Sequence, residues 1–172
     1  MIGDKRYSEK TLKYYKKIGL NAIVKNIAES KQPQYVIPLL SKHTPDILVI
    51  TGHDSMLKNG KNLLDIYNYR NSKHFVSSVI NARKWQNSSD KLVIFAGACQ
   101  SFYEAIMEAG ADFASSPGRI LIDFIDPIIV AKTVATTDRR VYISAREISN
   151  MVKEGAQGVS GIGAKGKKII YY

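Results

Sequence analysis

The chain carries one cysteine, Cys99, and three histidines, His43, His53 and His74, all upstream of it. Cys99 follows an apolar run over residues 91–98, and His53 follows a second one over residues 46–52. A thiol and an imidazole delivered to one sheet edge make a Cys–His dyad, in which the imidazole takes the thiol proton and the thiolate attacks a carbonyl. His53 precedes Cys99 by 46 residues, an order that argues against sites in which the base follows the nucleophile. Cys99 is read as the nucleophile and His53 as its base. His74, at a helix start, is the substitute base, and His43, beside Thr44-Pro45, is read as structural. The competing account of a lone cysteine is a small buried hydrophobe. Against it stands Gly97-Ala98-Cys99-Gln100-Ser101, which reads as a strand turning sharply into a helix, where the dipole and free N–H groups favour a thiolate. An oxyanion needs two fixed donors; the N–H of Cys99 with that of Gly52 or Asp54 is the natural pair. Asp54, Asp65, Asp112, Asp123 and Asp126 are candidates to line the active edge, where one carboxylate would recognise a cationic side chain. One cysteine and scattered histidines offer no metal-ligand spacing, and no cofactor is implied.

These groups need an α/β frame. Short apolar runs between helical stretches read as buried parallel strands, and reacting groups gather outside the carboxyl ends of such strands. The pattern predicts a helix over 8–19 beginning at Ser8, a strand over 20–27, a helix over 33–43 and the His53 strand. A long polar stretch, 54–72, then hangs over the active edge; long loops in compact domains tend to be functional. A helix over 73–86 leads to the Cys99 strand. Then come a helix over 101–108, a strand over 111–115, a turn at 116–119, an apolar helix over 120–135, a strand over 140–144 and a helix over 145–154. Residues 155–168 carry five of the twelve glycines. Their G-x-G-x-x-G look lacks the flanking strand and helix of a phosphate cradle, so they are read as a flexible loop. The first helix lacks its preceding strand, of which Ile2-Gly3-Asp4 is a stub. The expectation is one domain over 1–172, a fragment without the N-terminal region and first strand of a longer protein. An open sheet edge there would invite pairing with a second copy of the chain.

A chain of 172 residues is one domain by length and buries about 70% of its unfolded surface. Its hydrophobic fraction of 45% is ordinary for a globular protein. No apolar stretch approaches the roughly 20 residues of a membrane span, the N-terminus has no signal-peptide core, and a single cysteine makes no internal disulfide. The net charge of +10 is dispersed, with clusters at 10–17 and 165–168 and no recognition motif for nucleic acid. Solvated basic faces account for it best, steering towards an acidic protein surface next. Neither nucleic acid nor membrane is an expected partner.

Several blocks resemble the YabG sporulation-specific peptidases of endospore-forming bacteria. They are Thr51-Gly52-His53-Asp54, Asp65-Ile66-Tyr67-Asn68-Tyr69-Arg70-Asn71-Ser72, Phe95-Ala96-Gly97-Ala98-Cys99-Gln100-Ser101, Ala114-Ser115-Ser116-Pro117, Arg119-Ile120-Leu121-Ile122-Asp123-Phe124 and Gly161-Ile162-Gly163-Ala164. The resemblance implies a cysteine endopeptidase that matures spore coat and germination proteins, cuts after arginine and processes itself. It places the protein in the mother cell and spore coat, with Cys99 as nucleophile and His53 as partner. The wider likeness is to the caspase–clostripain group, in which His also precedes Ala-Cys by about fifty residues. It implies a caspase-like α/β fold, a mostly parallel sheet of flavodoxin-like order sandwiched between helices. That group has Gly after the His; here Asp54 stands there, which puts Asp54, with Asp112, among the candidates for reading arginine. Rival readings are a Cys-dependent small-molecule hydrolase or amidotransferase, and a non-catalytic interaction domain docking on coat proteins.

Overall fold

The computed structural model describes residues 1–57 and 62–169. Its centre is a four-stranded sheet in the order β1 (Ile47–Ile50), β2 (Val93–Ala96), β3 (Phe113–Ser115), β5 (Val159–Gly161). The first three strands run parallel, as the continuous apolar runs predict, and β5 closes the edge antiparallel to β3. Successive side chains point to opposite faces of a strand, so each apolar run supplies two cores. Leu48, Ile50, Ile94, Ala96 and Ala114 face α2 (Gln32–His43), α3 (Ser72–Trp85) and α4 (Tyr103–Glu108). Val93, Phe95 and Phe113 face α5 (Asp126–Thr136) and α6 (Ala145–Ser149). Tyr15 of α1 (Lys5–Lys17) joins Ile128 and Ala131 of α5 over Ile47 and Val49. Helices therefore cover both faces.

The stub at the N-terminus is real. Ile2 makes parallel bridges to Thr51 on one side and Asn26 on the other, with Gly3 N–H donating to Thr51 O at 3.1 Å and Ile27 N–H to Ile2 O at 3.0 Å. The full strand expected over 20–27 does not form. Only Asn26 pairs, and residues 20–25 line a cavity of about 490 Å³ beside β1. With so short a neighbour there is no ladder to join, and apolar pattern alone cannot make a strand.

Other boundaries move for local reasons. The first helix starts at Lys5, because Asp4 caps it by accepting Tyr7 N–H at 2.8 Å; Ser8 Oγ instead donates back to Asp4 O. The helix expected from residue 120 starts at Asp126, since Pro127 is tolerated only in a first turn. The helix expected to reach 154 stops after Ser149.

The glycine-rich tail is ordered structure, not a flexible loop. A short helix, α7 (Gly155–Gly158), leads into β5, and β6 (Ala164–Lys165) pairs antiparallel with β4 (Tyr142–Ile143). Here glycine permits close backbone approach: a Cβ on Gly161 would lie 2.1 Å from Asp112 O, and one on Gly166 2.1 Å from Thr137 O. A strand does precede the G-x-G-x-x-G segment, and no helix follows it among the described residues. Among the described residues no helix is long and apolar enough to cross a membrane.

Candidate active site

β1 and β2 are adjacent and parallel, with Ile50 opposite Ala96. Their carboxyl ends thus deliver His53, three residues past β1, and Cys99, three past β2, to one edge. Both line a cavity of about 100 Å³ together with Ile2, Tyr7, Gly52 and Ile122. Cys99 is half-buried. Its Sγ accepts from Ile122 N–H at 3.4 Å and lies 3.7 Å from Ile122 O, so the segment before α5 crosses the thiol. The His53 side chain is 57% exposed, within reach of an arriving substrate.

The backbone around Cys99 is bent and pinned. Gly97 has φ +108° and Gln100 φ +56°, a left-handed conformation that costs a non-glycine residue about 1 kcal/mol. It is held by Gln100 N–H donating to both Ile120 O and Ser116 Oγ at 3.0 Å. The helix after Cys99 begins at Tyr103, later than expected. A turn therefore separates the thiol from the helix, and the helix-terminus argument for a thiolate does not hold.

Asp54 has a different place from the one expected. Its carboxylate is buried and accepts from Ser55 N–H (2.9 Å), Asn71 N–H (2.8 Å), Ser72 Oγ (2.5 Å) and Ser101 Oγ (2.9 Å). Ser101 Oγ in turn accepts Ala98 N–H at 2.9 Å and Ser72 Oγ accepts Phe102 N–H at 2.8 Å. The residues on either side of Cys99 thus hang from Asp54 through two serines. Burial raises its pKa above the ordinary carboxylate value, and the four donors oppose that shift without cancelling it. No oxygen of Asp54 is left to read a substrate.

Asp112 is likewise corrected. It sits at the amino end of β3, opposite the Cys99 edge, where its buried Oδ2 accepts from Arg83 at 2.8 Å and Ile94 N–H at 2.7 Å. A carboxylate engaged by this chain's own arginine on the far edge is not a substrate reader. Asp65 caps the 3-10 helix Ile66–Asn68, and Asp123 accepts Ile125 N–H. His43 and His74 stand in α2 and α3 and do not line the cavity of Cys99.

Asp126 is wholly buried. Its Oδ2 accepts Asp123 N–H at 3.1 Å, while Oδ1 has no partner among the described residues. Burial, then the nearby Asp123 and Glu154 charges, raises its pKa. An acid whose folded pKa lies above its unfolded value carries a stability cost in its ionised form; the cost fades as pH falls through the folded value towards 3.8. Asp126→Asn, which removes the charge, is therefore expected to raise Tm at pH 7. Thermal unfolding at pH 7 and again near pH 4 checks this, the advantage vanishing in acid.

Two residues near the site carry no signal in a linear reading. Asp4 Oδ2 lies 3.2 Å from His53 Nε2. Glu29 accepts His53 N–H at 2.7 Å, lying in a niche where a Cβ on Gly3 or Gly52 would come within 2.2 Å of its Oε1. Gly52 is thus glycine for room. The polar stretch after His53 does fold over this edge: Asn71 Nδ2 donates to His53 O at 2.8 Å, and Tyr69 stacks on Phe102 at 5.1 Å beneath Arg119. Residues 58–61 of that stretch lie outside the described residues. Among the described residues the N–H groups of Cys99, Gly52 and Asp54 have no protein acceptor, and no cluster of His, Cys, Asp and Glu is arranged to hold a metal ion.

The family described as YabG peptidase U57 matches residues 1–170. The chain is 42% identical over 164 residues to the sporulation-specific protease YabG of Bacillus subtilis (strain 168), covering 95% of this chain and 57% of that protein. No solved structure matches. A match over nearly its whole length, together with that identity, makes this chain a member of the YabG peptidase family.

Proposed function

We propose that the chain is the catalytic domain of a sporulation cysteine endopeptidase in which Cys99 is the nucleophile and His53 its base. The observation that carries this is the shared cavity: His53 and Cys99 line one hollow at the carboxyl ends of adjacent parallel strands, where α/β sheets hold their reacting groups. His53 takes the thiol proton, Sγ attacks the scissile carbonyl, and the C–N bond breaks as the same proton passes to the leaving amine. Water then hydrolyses the thioester. The N–H groups of Cys99 and of Gly52 or Asp54, with no acceptor among the described residues, are available to an oxyanion.

The spatial order Asn26, Ile2, β1, β2, β3 supports a caspase-like sheet of flavodoxin-like order whose first two strands are reduced to single bridges. The chain spans 57% of the length of its Bacillus subtilis relative. Spore coat and germination proteins as substrates, cleavage after arginine, self-processing, and action in the mother cell and coat rest on the likeness to YabG alone; pairing of two copies rests on an open sheet edge beside the N-terminal stub.

Hydrolysis of a fluorogenic arginyl peptide beside its lysyl analogue tests the reading. We expect the arginyl peptide to turn over about 10-fold faster or more, because a bidentate guanidinium contact is lost with an ammonium. Equal rates would remove the arginine preference. Thiol-dependent turnover of a small amide with neither peptide cleaved would favour a small-molecule hydrolase.

A further inference from the structure

We infer that Asp4 is the positioning residue of the dyad, holding the His53 imidazole by Nε2 so that Nδ1 is the nitrogen left to take the thiol proton. This rests on the cysteine-peptidase reading above and goes beyond it, since neither motif nor spacing points to residue 4. Strand register brings the two together. Ile2 lies parallel to Thr51, tied by Gly3 N–H to Thr51 O; two residues further along each chain stand Asp4 and His53.

The carboxylate divides its oxygens. Oδ1 accepts Tyr7 N–H at 2.8 Å as the cap of α1, which aims Oδ2 at His53 Nε2, 3.2 Å away. With Nε2–H donated to Asp4, the neutral ring carries its lone pair on Nδ1. The His53 backbone is already fixed at both ends, its N–H by Glu29 and its C=O by Asn71, so ring rotation is the freedom that remains. Tyr7 limits it from one side, edge-on at 5.8 Å between ring centres. The charged and titratable groups around the ring are Asp4, Tyr7 and, beyond Tyr7, Lys10 from α1, Glu29 from the 3-10 helix Glu29–Lys31, and Cys99 across the cavity. Asp4 is the carboxylate in contact with the ring.

Asp4→Asn separates positioning from capping, because asparagine caps a helix as well as aspartate does while its charge is gone. Two readouts are needed: the tautomer of the His53 imidazole, read from its ring 15N NMR shifts and assigned with His53→Gln, and kcat/KM on the arginyl peptide. An asparagine that caps Tyr7 N–H through Oδ1 presents Nδ2–H to Nε2. The expected result is loss of the Nε2–H tautomer and kcat/KM about 10-fold lower, with Tm unchanged. Asp4→Ala should lower kcat/KM likewise and lower Tm besides. A His53 tautomer and a kcat/KM both untouched by Asp4→Asn would overturn the inference and leave Asp4 a helix cap. Should the unmodified protein cleave nothing while its His53 tautomer still follows Asp4, the hold on the imidazole stands and the peptidase reading fails.

Discussion

Cys99→Ala is expected to lower peptide hydrolysis by at least about 10³-fold while leaving Tm within about 1–2 °C of the parent. The two halves of that result come from different parts of the structure. The thiol is the sole sulfur nucleophile in the chain, and without it only binding and oxyanion stabilisation remain. Its structural ties are weak, amounting to the main chain of Ile122 at 3.4 and 3.7 Å. The bend that presents it is held by neighbours: Ser101, Ser116 and Ile120 take the hydrogen bonds of Ala98 and Gln100. Removing Sγ therefore leaves the bend standing. Hydrolysis and thermal unfolding of the same preparation check both halves.

Asp54→Ala should behave in the opposite way, failing first in stability. Four donors lose their acceptor at once, and three of them, Ser72 Oγ, Ser101 Oγ and Asn71 N–H, come from the two segments that this carboxylate ties together. Leaving several buried donors unpaired costs about 3–5 kcal/mol, which in a chain of this size lowers Tm by about 10 °C or more. Activity falls as well, because Ala98 and Phe102 are tethered to Asp54 through Ser101 and Ser72. Asp54→Asn keeps one acceptor oxygen and recovers part of the loss. Thermal unfolding of the three proteins at pH 7 gives the order: parent, asparagine variant, alanine variant.

Legibility in the sequence follows what each signal physically reports. Continuous apolar runs ending at Gly52 and Ala98 announce strands buried on both faces, and the edge where His53 and Cys99 meet follows from them alone. Helices with sharp punctuation were also legible, such as α1, ending near Gly19 with its φ of +72°. What was hidden depends on orientation and on register between distant segments. Asp54 follows His53 in the chain, yet its carboxylate turns inward because Asn71, Ser72 and Ser101 converge there. Asp112 is drawn to Arg83 by a pairing 29 residues apart in sequence. Asp4 reaches His53 only because a three-residue stub lies beside β1. The glycines of 155–168 read as looseness, whereas a strand edge that approaches Asp112 O needs them for close packing.

The most direct test of an activated thiol at this edge is the rate of alkylation by iodoacetamide, followed by intact mass across pH 5 to 9. The chain has one cysteine, so every added mass reports Cys99. The expected result is labelling at neutral pH faster than that of the same chain unfolded in urea, and slowed in His53→Ala to the rate of an ordinary thiol. Labelling of the folded protein no faster than the unfolded chain, and indifferent to His53, would contradict a Cys99–His53 dyad.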